Sequence, residues 1–517
     1  METFDVQLYK PKLHFSPGQN WINDPNGLVY FEGEYHLFYQ YHPHSTVSST
    51  MHWGHAVSTD LIQWKELDVA LHPDEQGTIF SGSVVVDWNN TSGLFPDEPG
   101  LVAIYTSHLE PIDRNSQQTD RYTQQTESMG HENPGGEVFS TAAPDTVSAP
   151  PYLDGQCIAF SHDRGRTWTK YEGNPVLTSS TDRDVRDPKV FWYRPKGYWV
   201  MVVATGQNVS FYTSRNLLDW KLESRFGEGF GSHEGVWECP DLFRLPIEGT
   251  ESWKWVLLVS TGDQPELGNG SRTQYFVGSF DGRQFMPEYN RIQWLDYGRD
   301  NYAGVSFSDI PEQDGRRIYM GWMNNWRYAR ELPAGDWNGA MTLPRTLCLR
   351  PLKNQLLICQ RPVAELDRYF TEKHKLSGIT VSNKQPYELI TAAAIADIRL
   401  RAQHDGLDEL TVTIHHTAEQ YTTIGYHATS ELLSVRREHS GRSDFDPLFA
   451  RGQQVHIPYS SHLNLRIVLD SCSVEVFAGD GMYAITSLIF PDQACQRIVI
   501  QSRGGDARLY DSFIYTG

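Results

Sequence analysis

Residues 27–41 read GLVYFEGEYHLFYQY, two runs of apolar and aromatic residues joined at Glu32, Gly33 and Glu34. Strand-forming residues on either side of a tight polar turn predict a β-hairpin. The same design returns at 189–204 (KVFWYRPKGYWVMVVA) and at 241–260 (DLFRLPIEGTESWKWVLLVS). A fainter version occupies 305–323 (VSFSDIPEQDGRRIYMGWM). Around the hairpins a second phrase recurs, a strand ending in small polar residues with an aromatic soon after. It appears at 55–64 (HAVSTDLIQW), 158–168 (IAFSHDRGRTW), 211–220 (FYTSRNLLDW) and 277–285 (VGSFDGRQF). Hairpin, strand, turn and strand make a four-stranded unit, and its return every roughly 50 to 65 residues is the signature of a β-propeller. A further unit starting at 77–87 (GTIFSGSVVVD) completes five blades.

Outward from this repeat, long stretches with a 3.6-residue apolar period are nearly absent, so the chain is expected to be all-β. The predicted organisation is a five-bladed propeller over residues 1–358, a linker helix over 359–372 and a β-sandwich over 373–517. The helix is read from 360–370 (QRPVAELDRYF), and the sandwich from alternating strands such as 408–416 (DELTVTIHH), 463–470 (LNLRIVLD) and 497–502 (RIVIQS). Residues 110–151, rich in Gln, Thr, Ser, Gly and Pro, read as a loop inserted into the second blade.

The 517 residues hold 64 acids against 44 bases, a net charge of −20, with 15 Trp, 26 Tyr and 23 Phe. That many aromatics excludes a disordered chain, and a field of this sign repels phosphate backbones and anionic lipid. Neither nucleic acid nor a membrane is an expected partner. Six cysteines lie scattered with no C-x-x-C pair, so free thiols are expected rather than a disulfide framework or a zinc site. The first residues, Met1 to Asp5, show no cationic stretch followed by an apolar run. A cytoplasmic location is the leaning, with secretion after loss of a leader as the alternative. A monomer or a homodimer is expected.

The first strand of each blade lines the axis of a propeller, so polar residues there converge. Three units open with an acid near a proline: Asp24 before Pro25, Asp187 before Pro188, and Glu238 two residues ahead of Pro240. A single Asp-Pro is ordinarily a turn starter. Three at corresponding places in three repeats point to one site, although Glu238 is offset by one position when the prolines are aligned. Converging carboxylates repel, so one should hold a proton near neutrality beside an ionised partner, the pair that glycosidic cleavage requires. Glu238, flanked by Trp237, suits the proton donor and Asp24 the nucleophile. Asp187, next to Arg186, is expected to stay ionised and bind substrate hydroxyls. Trp21, Trp53, Phe80, Trp237 and Trp326 are candidates for flat apolar faces against a sugar ring, with core packing the competing reading of each.

The phrases 21–27 (WINDPNG), 38–40 (FYQ), 51–56 (MHWGHA), 80–83 (FSGS), 186–190 (RDPKV) and 237–243 (WECPDLF) together resemble glycoside hydrolase family 32. The resemblance extends through 298–311 (GRDNYAGVSFSDIP) and 321–326 (GWMNNW) to 473–491 (SVEVFAGDGMYAITSLIFP). It implies hydrolysis of terminal β-D-fructofuranosides of sucrose, inulin or levan, with retention, through a fructosyl-enzyme. Asp24 then matches the nucleophile, Asp187 the transition-state stabiliser and Glu238 the acid/base. Asn23, Gln40, Phe80, Ser81, Arg186 and Trp326 match positions around the terminal fructose, with Tyr302 a less direct match. No metal or organic cofactor is implied.

One departure stands out. Many members of that family carry a Trp-Gly pair shortly before the H-W-G-H-A phrase, with the Trp against the terminal fructose. Here 44–50 (HSTVSST) fills the space and Ser48 stands where the Trp would be. Losing an indole removes about 150 to 250 Å² of apolar contact surface. The leading expectation is therefore an exo-β-fructofuranosidase. A fructosyltransferase using the same intermediate is the alternative, and a non-catalytic sugar-binding propeller or a pentose-releasing glycosidase lies further off.

Overall fold

The computed structural model describes residues 6–96, 98–109, 154–179, 182, 184–333 and 335–517. The insertion read at 110–151 lies outside the described residues. The deciding hairpin forms as expected: Asn20–Phe31 pairs antiparallel with Glu34–His42, turning at Glu32 and Gly33, both at positive φ. His52–Ser58 and Lys65–Leu71 extend it to a meander.

Five such sheets are present among the described residues. Their first strands are β1 (Asn20–Phe31), β2 (Thr78–Asp87), β3 (Val185–Tyr193), β4 (Trp237–Pro246) and β5 (Tyr302–Ser306). Each lies beside the next, and β5 returns to β1, so the sheets close into a ring. Trp337–Asn338, which follows the second strand of the fifth sheet, adds to β1 in parallel and ties the last blade to the first. Blade faces bury against one another through mixed aromatic and branched residues. Val200, Phe211, Trp237, Leu257 and Phe276, for example, form one cluster between the third and fourth sheets.

All five first strands carry a β-bulge at the same depth. The extra residues fall at Asn23 and Asp24, Phe80 and Ser81, Asp187 and Pro188, Cys239 and Pro240, and Ala303 and Gly304. A bulge leaves residues out of the ladder, which is where proline is tolerated inside a sheet, and it re-aims the side chains beside it. The acid-near-proline phrase is thus a bulge signature rather than a turn. The one-position offset also has a reason. Asp187 and Cys239 hold the same bulge position, at φ 64° and 47°, so Glu238 falls in register with Arg186.

Beyond Pro362, where the last propeller strand ends, a 3-10 helix spans Ala364–Tyr369. Gln360 to Pro362, read from sequence as helix, belong instead to that strand. Two antiparallel sheets follow, of eight and six strands, enclosing a core that includes Leu400, Ile467, Val476, Val412, Ile424 and Ile498. The chain is therefore all-β, a propeller followed by a sandwich. All six cysteines are free and five are buried.

Buried charge joins the two parts. Arg345 bonds Asp296, at 3.1 Å, and Glu475 of the sandwich, at 3.0 Å. His14 lies between Asp470 and Glu475, at 2.7 and 3.2 Å. Burial alone would push its imidazole down, but the two carboxylates outweigh that and raise it to about 9. Arg437 of the sandwich donates to Asp300 Oδ2 at 2.5 Å and to the Tyr328 hydroxyl at 3.1 Å. Tyr328 in turn donates to Asp300 Oδ1.

Candidate active site

At one end of the ring the bulges open into a cleft of about 740 Å³, a volume suited to a small ligand. Asp24, Asp187 and Glu238, from β1, β3 and β4, all line it, so the three acids meet in one place. Cys239 binds them together. Its amide N–H donates to Asp187 Oδ2 at 2.9 Å, and its thiol lies 3.4 Å from Asp24 Oδ2 and 3.6 Å from Asp187 Oδ2. Sequence reasoning gave this residue no role. The clue was the alignment of Pro188 with Pro240, which sets Cys239 in the place of Asp187.

Asp24 accepts from Ser81 Oγ at 2.7 Å and Asn23 Nδ2 at 3.1 Å. Asn23 is itself held by the Trp21 indole N–H at 2.8 Å. Burial pushes the Asp24 carboxyl up, Glu238 adds to the rise, and the hydrogen bonds oppose it. Asp187 is raised to about 7. Burial dominates there; Arg186 pulls the value down, and the neighbouring acids push it up again.

Asp187 was expected to stay ionised beside Arg186; the guanidinium does lower it, but burial and the neighbouring acids outweigh that pull. Arg186 reaches across the cleft, its Nη2 3.3 Å from Glu238 Oε1, while Nη1 holds Asp184 at 2.8 Å. Glu238 also accepts from the Tyr302 hydroxyl. Tyr302 is buried, and desolvation together with Glu238 pushes its phenol far up, so it acts as a neutral donor. Trp237, expected to supply an apolar neighbour to Glu238, is fully buried and donates to the Ser232 carbonyl in the blade core.

The aromatic candidates divide in two. Trp21 and Trp53 are fully buried and, like Trp237, belong to core clusters. Phe80 and Trp326 are half-buried and line the cleft. Phe80 stacks on His108 at 4.4 Å, and Trp326 stacks on Trp21 at 6.0 Å, so each exposed ring face is backed by another ring. Gln40 lines the cleft too, with its Nε2 buried and without a hydrogen-bond partner. A buried donor left open costs free energy unless a ligand completes it. Ser48 forms part of the wall, where Arg330 donates to its Oγ at 3.0 and 3.3 Å. Arg330 was not anticipated. The wall is polar where an indole would have made it apolar.

Residues 14–149 and 147–362 match the family described as Glycosyl hydrolases family 32 N-terminal domain. Residues 365–515 match Glycosyl hydrolases family 32 C terminal. A levanase of Bacillus subtilis (strain 168) is 42% identical over 97% of this chain and 69% of its own length. The crystal structure of an exo-inulinase from Aspergillus awamori superposes with a TM-score of 0.83 at 32% identity, covering 98% of both chains. A beta-fructofuranosidase from Schwanniomyces occidentalis, solved with fructosyl-erythritol, gives 0.85 at 28% identity over 100% of this chain and 99% of that one.

Proposed function

The chain belongs to glycoside hydrolase family 32, and we propose that it is an exo-acting, retaining β-fructofuranosidase that removes terminal fructosyl units from fructans and sucrose. It is a glycoside hydrolase by that membership. The observation carrying the finer reading is the meeting of Asp24, Asp187 and Glu238 in one cleft beside the open Gln40 amide.

In this reading the fructose ring sits over the bulges, against Phe80 and Trp326, with hydroxyls taken by Asn23, Gln40, Ser81 and Asp187. Asp24 attacks the anomeric carbon. Its electron pair forms the fructosyl ester while the glycosidic bond breaks toward the leaving oxygen. Glu238 gives its proton to that oxygen, then takes one from the water that cleaves the ester. Tyr302 and Arg186 fix the carboxyl of Glu238 in place for both steps. Burial raises Asp24 and Asp187, and the neighbouring carboxylates add to the rise in each. The chemistry requires a proton on Glu238 and an ionised Asp24. The chemistry is assigned to the propeller, residues 1–358, and support to the sandwich, residues 373–517.

Separate incubations with sucrose, inulin and levan, with products resolved by size, test the proposal. Free fructose as the first sugar released from the fructosyl terminus of each substrate is expected, and a ladder of intermediate oligomers would refute exo action. Trisaccharides formed from concentrated sucrose would favour transfer to sugar over transfer to water. Asp24→Asn and Glu238→Gln are each expected to fold normally and lose at least about 10³-fold in kcat. Near-native turnover in either would overturn the assignment, as would release of the α anomer in a time-resolved NMR spectrum.

A further inference from the structure

On the seam between the fourth sheet and the sandwich lies a second cleft, of about 750 Å³. Arg272, Arg299, Arg436, Arg451 and His427 line it. The Arg272 guanidinium lies flat over Trp294, 3.8 Å from the ring centre. Arg299 is half-buried, and its Nη1 donates to the Arg451 carbonyl at 2.9 Å. Among the described residues, Arg272, Arg299 and Arg451 form no salt bridge, whereas Arg436 and His427 share Glu409, at 3.5 and 3.1 Å.

Charge taken out of water is ordinarily paired, and Arg272 and Arg299 are half-buried without a carboxylate in salt-bridge reach among the described residues. Burial pushes the guanidinium groups of both Arg272 and Arg299 down from their ordinary value; Glu234 opposes the fall at Arg272 and Arg299 adds to it, while Arg437 and Arg451 add to the fall at Arg299. Most of the negative charge nearby is already engaged: Asp296 holds Arg345, Asp300 holds Arg437, and Glu409 holds Arg436 and His427. Glu438 lines the cleft, and Glu234 faces Arg272 while accepting from Asn269 Nδ2 at 3.1 Å.

We propose that this cleft binds the phosphate group of a hexose-sized phosphorylated ligand, clamped by Arg272, Arg299 and Arg451. Guanidinium forks match phosphate oxygens two at a time, and three of them neutralise a dianion. The cleft is far larger than phosphate alone, and Tyr297, Ser434 and Asn269 line it with an aromatic face, a hydroxyl and an amide for the sugar. The site lies behind the catalytic cleft rather than within it. Asn325 Nδ2 donates to the Arg299 and Ser271 carbonyls at 2.8 and 3.0 Å, and the Trp326 amide donates to Ser271 Oγ at 3.1 Å.

Calorimetric titration at constant ionic strength with hexose 6-phosphate, inorganic phosphate, free hexose and chloride tests the proposal. Hexose 6-phosphate is expected to bind with a Kd below about 1 mM, and Arg451→Gln and Arg272→Gln to weaken it at least tenfold each. Basal turnover should be unchanged in Arg451→Gln. Inorganic phosphate binding as tightly as the sugar phosphate supports the oxyanion clamp and removes the sugar contacts. Equal heats from phosphate and chloride, or unaltered affinity in both variants, would overturn it.

Discussion

Replacing Asp300 with Asn isolates the link between the sandwich and the catalytic cleft. Asp300 and Arg437 are fully buried, and the carboxylate accepts three bonds: Arg437 Nη1 at 2.5 Å, the Leu488 amide at 2.8 Å and the Tyr328 hydroxyl. The amide keeps the shape but removes the charge, and it turns a donor toward Arg437 or Leu488. Arg437 retains only carbonyl and hydroxyl acceptors, among them Phe449 O at 2.6 Å and Leu488 O at 3.0 Å. Stranding one member of a buried pair costs about 3–5 kcal/mol. At about 2–4 °C per kcal/mol for a large unit, the apparent Tm should fall by about 6–20 °C.

One kinetic and one thermodynamic consequence should accompany that fall. Tyr302 lies two residues beyond Asp300, and Trp326 two residues before Tyr328, so KM for a terminal fructoside should rise. The double variant Asp300→Asn/Arg437→Met removes both charges. It should be at least about 1–3 kcal/mol more stable than the sum of the single changes. Calorimetry on the four proteins, with initial rates below Tm, measures both effects. A Tm within 2 °C of the parent, or strict additivity in the double variant, would refute the reasoning.

Three further outcomes are expected. His14 is raised to about 9 from 6.5, so its stabilisation is complete below pH 6.5 and disappears as pH rises through 9. Those about 2.5 units amount to about 3 kcal/mol, read by denaturant titration at both ends of the range, and His14→Gln should flatten the difference. Arg186 holds Asp187 down, so Arg186→Gln should drive that carboxyl above its value of about 7 and move the rising limb of kcat/KM to higher pH; an unmoved limb would contradict the electrostatics. Ser48→Trp displaces the Arg330 contact and adds apolar wall, which should lower KM for terminal fructosides by up to about tenfold; an unchanged KM would show that Ser48 lies out of reach of the sugar.

The propeller was legible because its hairpin recurs, and repetition turns a weak local signal into a strong one. The three acids were legible for the same reason. The one-position offset of Glu238 showed in the prolines, but its cause did not, since bulge register is set by hydrogen bonds to the neighbouring strand, which no local phrase records. Core and cleft aromatics could not be separated by type alone: Trp53 sits fully buried inside a strand, and Trp326 half-buried in a turn at the cleft. The charge of Asp187 was misjudged because burial, which no local phrase records, outweighs the pull of the neighbouring Arg186. The seam between propeller and sandwich was invisible, as Arg437 and Asp300 are 137 positions apart.

The five aligned bulges have a wider consequence for how such a ring can change. Side chains at those positions contribute nothing to the ladders, so exchanging them leaves strand pairing untouched, whereas deleting one of the two residues would close the bulge and turn its neighbours away from the cleft. Substitution and deletion at the same spot therefore belong to different worlds. The rim is a keyboard on which single letters can be retuned blade by blade, provided that the number of keys stays fixed.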